Sequence, residues 1–139
     1  MYSIIIQKIK DILKNVKSVK SIYAFPLNGN PKTFPAVIFY PASVDNVYSD
    51  NGSNHKNYKF KIFITVDTAG TTVENAYSVI LPNVVDQVIQ AFDTNWSHQI
   101  DNHRAWLVID SGIWGLSQEE KSLKAFAELS LTYQVANDV

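Results

Sequence analysis

The chain has 139 residues and a mass of 15.7 kDa, with 46% hydrophobic and 18% charged residues. This composition excludes wholesale disorder and low-complexity scaffolds, and it predicts one domain spanning residues 1–139. The absence of cysteine excludes disulfides, thiol catalysis and thiolate metal sites. A net charge of −1 argues against a dedicated nucleic-acid binder. No stretch approaches the ~20 apolar residues of a membrane span.

Formal charge is unevenly distributed along the chain. Residues 1–66 carry nine lysines and three aspartates, a net charge of +6, whereas residues 67–139 carry three basic and ten acidic residues, a net charge of −7. Such segregation is compatible with two ordinary solvated faces. It is also compatible with head-to-tail attraction between copies of the protein, and the sequence leaves both explanations open.

The first predicted element is an amphipathic helix over residues 4–19, with Ser3 as its N-cap. The apolar face of this helix contains Ile5, Ile9, Ile12, Leu13 and Val16. Lys10, Lys14 and Lys17 form a stripe on another side of the helix. This stripe is either ordinary wet surface or a weaker candidate for an assembly contact.

Extended segments follow the helix. Residues 21–26 are rich in β-forming residues, and the apolar run 34–41 predicts a buried strand. Residues 58–66 alternate strictly between apolar and polar side chains, which is the clearest strand pattern in the chain. Phe63 lies on the lysine-bearing face of this strand, so that outer face is expected to be partly covered.

Residues 41–57 are far longer than an ordinary hairpin connection of about 2–5 residues. They contain Asn51-Gly52, the preferred centre of a tight hairpin turn. Either the flanking strands continue outward as a β-arm, or the segment is a mobile loop. In both cases we expect it to leave the body of the domain and bind something. The candidate assembly contacts on it are Val44, Val47, Tyr48 and Asp50.

A second helix is predicted from Thr72, as N-cap, to about Phe92, with Pro82 either bending it or dividing it in two. Residues 96–103 are ambiguous. Residues 104–110 then predict a strand, 111–115 a bulge or corner and 117–121 a charged connection.

A long final strand is predicted over residues 124–135. The resulting fold class is α+β, with a mainly antiparallel sheet of four or five strands, two helices on one face and a long projecting β-hairpin or loop.

Residues for catalysis or metal binding do not form a recognisable set. His98 and His103 are five residues apart, which matches no zinc signature, although a weak metal site with Asp101 is conceivable. Glu119-Glu120 is more typical of a solvated turn than of an acid–base pair. We therefore predict no catalytic, cofactor-binding or metal-binding residues, no cofactor and no enzyme activity.

The whole pattern resembles the tail terminator family of long-tailed bacteriophages, also called tail-completion or tail-to-head joining proteins. The resemblance spans nearly the full length of the chain. It is carried by a starting helix that ends in Val16–Tyr23, the strand Phe34–Ile38, the element Tyr48-Ser49-Asp50, the segment Asn54–Tyr58 leading into Phe60-Lys61-Ile62, a helix with Ala76-Tyr77 that closes near Asp86–Phe92, and the long final strand.

The resemblance implies a structural virion protein at the head-proximal end of the tail, assembled in the host cytoplasm. Such proteins form a hexameric ring that caps the tail tube, ends its polymerisation and meets the neck or head-completion protein. DNA only passes through the ring as cargo, and no membrane is involved.

Two alternatives stay open. One is another phage neck or minor tail component with a similar build. The other is a small cellular α+β module that binds an apolar ligand in a pocket lined by Trp96, Trp106 and Trp114. We expect these tryptophans to fill a core instead.

Overall fold

The computed structural model describes residues 1–48, 54–119 and 122–136. Its helical elements are α1 (Tyr2–Lys14), α2 (Val73–Asn75), a π-helical segment (Ala76–Ile80) and α3 (Leu81–Thr94). Its strands are β1 (Ser21–Tyr23), β2 (Ala36–Tyr48), β3 (Asn54–Asp67), β4 (Ser97–Ile100), β5 (His103–Glu119) and β6 (Ser122–Ala136). The predicted α+β class is confirmed.

The strands form one six-stranded sheet in the order β1-β2-β3-β6-β5-β4. All neighbours pair antiparallel except β1 and β2, which are parallel. The prediction of four or five strands is therefore wrong. It missed β4, which is joined to β5 by a tight turn at Asp101 and Asn102, both with positive φ.

The core lies between the helices and one face of the sheet. Alternating residues of β3, from Tyr58 to Val66, pack there with the apolar faces of α1 and α3, as their period of two requires. The ring of Tyr2 lies edge-on to Tyr58, with 4.9 Å between ring centroids, and also contacts Phe60. The start of α1 is thereby fixed against the middle of the sheet.

The first helix is shorter than predicted. It ends at Lys14, where the Asn15 amide donates to the Ile12 carbonyl and the Val16 amide donates to the Leu13 carbonyl, although Val16 is still buried. Ser3 as N-cap is also wrong, since Met1 holds that position and no side chain caps the helix. The apolar spacing extends beyond the regular helix because Val16 packs into the core from the turn that follows.

Residues 73–94 form one continuous helical run, with a change of hydrogen-bonding pattern inside it. Thr72 is the N-cap as predicted, since its hydroxyl oxygen accepts from the Asn75 amide at 3.0 Å. The π-helical segment ends at Ile80, two residues before Pro82, which lies in the first turn of α3. Proline has no amide hydrogen to donate, so a local π turn is an ordinary accommodation at this position.

The predicted corner and charged connection after residue 110 are largely wrong. Strand β5 continues through Gly112 and Gly115 to Glu119, and only a register shift between Ile109 and Ser111 corresponds to the predicted bulge. Gly115 is required by close packing, because a Cβ atom there would lie 2.8 Å from the ring of Phe126. The glycines therefore make room for neighbouring side chains and do not end the strand.

The outer face of the sheet is partly covered, as Phe63 suggested. The rings of Phe63 and Phe126 stack with 5.0 Å between centroids, and the segment Pro26–Pro31 lies nearby around a small pocket. Lys124 is buried here beside Asp67, with its ammonium group 5.1 Å from the centre of the Phe34 ring.

Candidate assembly surface

The arm (residues 43–57) is a continuation of the sheet, so the β-arm alternative is the one observed over its described residues. Ser43 to Tyr48 pair with Asn54 to Lys59. On the other side, His55 to Tyr58 pair with β6 up to Ala136. The expectation that the whole segment leaves the domain is therefore wrong for its β3 half, which lies inside the sheet.

The candidate contacts on the arm lie in or beyond β2. Val44 is 46% exposed on the helix-bearing side of the sheet, opposite Tyr58. The backbone of Val47 and Tyr48 pairs with His55 and Asn54, and Asp50 lies outside the described residues. No described strand pairs with the outer edge of β2 beyond Ile38, so residues 39–48 form an open sheet edge.

The lysine stripe is not continuous with the arm. Lys10 and Lys14 lie on α1, whereas Lys17 follows its end, so the three do not share one helix. The start of α1 contacts Tyr58 near the arm, and its end leads to β1 at the opposite end of β2. The structure therefore separates the two groups of candidates, and Lys14 and Lys17 lie at the end away from the arm.

A second open edge lies on β5, and the sequence analysis missed it. Strand β4 pairs with β5 only as far as Trp106, and the Leu107 amide donates to the Trp96 carbonyl. Within the described part of the chain, nothing pairs with the outer edge of residues 108–119. The sequence signal for this edge is the uncharged run 111–118, of which the glycine-containing residues 111–115 are predicted above as a bulge or corner.

This second half of β5 exposes apolar side chains on both faces. Ile113 is 61% exposed on the outer face, while Trp114 and Leu116 are 41% and 47% exposed on the helix-bearing face. An exposed, apolar and open-edged strand is a ready template for pairing with another chain. It is the strongest candidate surface of the described molecule.

The expected tryptophan core does not form. Trp96 is 58% exposed, and none of the three tryptophans belongs to the buried core. Trp96 and Trp106 line an open groove of about 490 Å³ together with Asn57, Asp93, Leu107, Val108, Thr132 and Gln134. Trp114 is eight residues further along β5 on the opposite face, so a pocket lined by all three tryptophans does not exist.

His98 has an interior role. Its Nδ1 lies 3.0 Å from the Asn95 carbonyl, which can only accept, so this nitrogen donates and Nε2 accepts from the Tyr133 hydroxyl. Both ring nitrogens are thus occupied in the neutral form. Among the described residues, no group of three His, Cys, Asp or Glu side chains could hold a metal, so the conceivable site with Asp101 and His103 is not assembled there.

We expect His98 to make folding stability dependent on pH. Burial, with a smaller contribution from Lys8, lowers the pKa of His98 below its ordinary value near 6.5, against the opposing effect of the Asn95 carbonyl. As the pH falls through 6.5, His98 binds a proton in the unfolded chain more readily than in the folded chain. The contribution of His98 to the free energy of unfolding is therefore lost below that pH. Urea unfolding at pH 7.5 and 5.5 should show a smaller loss in His98→Gln than in the wild type. An equal loss in both proteins would contradict the assignment.

The charge asymmetry of the sequence becomes an asymmetry in space. Residues 1–66 supply α1, β1, β2 and nearly all of β3, and residues from 67 onward supply the other helices and β4, β5 and β6. The sheet order keeps these sets side by side. The half of the molecule that ends in the β2 edge therefore carries the net positive charge and the half with the β5 edge the net negative charge, while the open segments 39–48 and 110–119 contain only the acidic residues Asp45, Asp110 and Glu119.

The chain matches no known protein family, and a search of curated proteins finds no match. Over the residues that the structure describes, no helix is long and apolar enough to cross a membrane.

Proposed function

We propose that this chain is a tail terminator of a long-tailed bacteriophage. In this role it forms a ring, expected to be a hexamer, that caps the tail tube, ends tube polymerisation and joins the tail to the head. It acts as a structural virion component without enzymatic activity or a cofactor. Its partners are copies of itself, the tail tube protein and a neck or head-completion protein, and DNA passes through the ring.

One structural observation carries the proposal beyond the sequence resemblance, namely the open apolar edge of β5 on a sheet whose other edge is also open. A closed ring requires two different complementary patches on every subunit, because each subunit contacts its two neighbours through different surfaces. Two open edges on opposite sides of one sheet meet this requirement. Exposed apolar side chains beside an unpaired strand edge, here Ile113 and Trp114, are typical of a surface that another chain covers.

Deletion of residues 46–55 tests the proposal. We expect the shortened protein to lose ring assembly, measured by light scattering, and tails made with it to vary in length by electron microscopy, since the arm supplies part of the contact surface. The wild-type protein incubated with tail tubes of the phage that encodes it should appear as rings at one tube end. Tails of normal length capped by the shortened protein would contradict the role of the arm, and failure of the wild type to bind tube ends would contradict the proposed function.

A ligand-binding module is the second candidate, and the groove beside Trp96 and Trp106 favours it. Its aromatic and amide lining could accept a small ligand. Another neck or minor tail component stays possible within the assembly class. Rings that bind somewhere other than the tube end would favour that component.

A further inference from the structure

We propose that the open edge of β5 in one subunit pairs with the open edge of β2 in the next, so that the sheets of neighbouring subunits join edge to edge. The inference rests on the proposed function, which supplies the ring, and it identifies which surfaces make the ring. The pairing segments are residues 39–48 of one copy and residues 110–119 of the next.

Each of the two edge strands is covered by a short strand at one end and open at the other, and the covered ends lie at opposite ends of the sheet. Strand β1 covers β2 at Ala36–Ile38, at the end away from the arm, and leaves residues 39–48 open. Strand β4 covers β5 at His103–Trp106, at the arm end, and leaves the opposite end open. When the open parts pair, β1 of one copy and β4 of the other lie beyond the ends of the shared segment and do not obstruct it.

The directions of the strands also fit. Successive antiparallel pairing of β2, β3, β6 and β5 makes β2 and β5 run in opposite directions within one subunit. Rotation about a ring axis to which the strands are tilted still preserves these relative directions, so β2 of one copy meets β5 of the next as an antiparallel pair.

The positions of these open segments determine the register between β2 of one copy and β5 of the next. Through the sheet, Val44 lies at the level of Leu107, whereas the open segments place it opposite Trp114 of the next copy. This offset of about seven residues is roughly 23 Å along the strands, across the roughly 19 Å width of the four strands (β2, β3, β6 and β5) that each subunit adds to the joined sheet. Val44 and Trp114 then share the helix-bearing face.

The complementary open ends of the two edges, together with the net charges of the two halves of the chain, select a second copy as the occupant of the β5 edge. The pairing segments themselves carry only Asp45 on β2 and Asp110 and Glu119 on β5. The side of the subunit that ends in β2 derives from the half of the chain with a net charge of +6, and the side that ends in β5 derives from the half with −7. Edge-to-edge contact therefore brings the basic side of one copy to the acidic side of the next. Contact between two like edges would instead bring together sides of the same charge.

Cross-linking tests the pairing directly, because the chain has no native cysteine. The single variants Val44→Cys and Trp114→Cys are mixed at a concentration at which the wild type assembles, or on tail tubes, and oxidised. Opposed residues in an antiparallel pair are about 4.5–5.5 Å apart between Cα atoms, which suits a disulfide. We expect the mixture to shift from 15.7 kDa to twice that mass, while each variant alone stays largely monomeric under denaturing conditions.

Val79→Cys is the matched control, since Val79 is also an exposed valine and lies on the π-helical segment, away from both edges. Its mixture with Trp114→Cys should give little dimer.

Two charged variants provide a second test. Val44→Lys disrupts the β2 edge and Ile113→Lys disrupts the β5 edge, so each variant should fail to assemble alone. The two should form dimers when mixed, because each keeps the edge that the other lacks.

The possible outcomes separate the two proposals. Rings that cap tail tubes without the Val44–Trp114 cross-link would overturn the edge pairing and leave the proposed function standing. A specific cross-link in a protein that does not bind tube ends would support the pairing and overturn the phage role. Equal yields from the control mixture would also overturn the pairing.

Discussion

Replacement of Phe60 by alanine should cost about 3–5 kcal/mol of folding free energy, the typical range for deleting a fully buried aromatic ring. Phe60 has no exposed surface, lies at the centre of β3 and contacts the ring of Tyr2. Neighbours in β2 and β6 hold the backbone on both sides, so the core cannot easily collapse into the space that the ring leaves. This loss is a large share of the ~5–15 kcal/mol by which a domain is ordinarily stable.

Urea unfolding followed by circular dichroism measures the effect, provided that the transition stays cooperative. Phe25→Ala is the matched control, because Phe25 is exposed and contacts only the ring of Tyr23 among the aromatic pairs of the described residues. Its cost should be below about 1 kcal/mol. Equal losses in the two variants would mean that the packing around Phe60 is not the main core.

Asp67→Asn should produce the second-largest effect, a loss of about 1–2 kcal/mol. Lys124 is buried, and its Nζ lies 3.9 Å from Asp67 Oδ1. Asparagine keeps an oxygen that can accept from the Ala69 amide, as Asp67 does at 3.2 Å, so mainly the negative charge is lost. Breaking a fully buried pair typically costs about 3–5 kcal/mol. We expect less here because the Asp67 side chain is 28% exposed.

Lys124→Met supplies the comparison for this pair. It keeps the length of the side chain against Phe34 but removes the buried charge, so its stability should stay within about 1 kcal/mol of the wild type. Thermal unfolding of both variants measures the difference. If Lys124→Met proves as damaging as Asp67→Asn, then the packing or the other interactions of Lys124 matter more than the charge on Asp67.

The sequence predicted best where local pattern and tertiary packing agree. The alternation of residues 58–66 identified β3, and Thr72 was assigned correctly because N-cap bonding involves only neighbouring residues. The end of α1 was misplaced because Val16 is buried through the fold and not through a continued helix. The apolar periodicity indicates which residues are buried, and in this chain a residue beyond the end of the helix is buried as well.

The candidate surface was only half predicted. The arm was found because its length is anomalous, a property visible without a structure. The β5 edge was missed because glycines beside Trp114 suggested a corner, whereas Gly115 in fact leaves room for the ring of Phe126 across the sheet. An unpaired edge is also a property of strand order, which the local sequence does not encode. The exposure of Trp96 and Trp114 could not be foreseen for the same reason.

The packing of the start of α1 beside the arm limits where a purification tag or fluorescent protein can be attached. Tyr2 lies on Tyr58, and Ala136 pairs with His55, so both ends of the described chain emerge at the arm end of the sheet. A purification tag or fluorescent fusion at either terminus would crowd the same neighbourhood and could imitate a defect in oligomerisation. An insertion at Ala69-Gly70, in the turn at the far end of β3, would leave that neighbourhood clear.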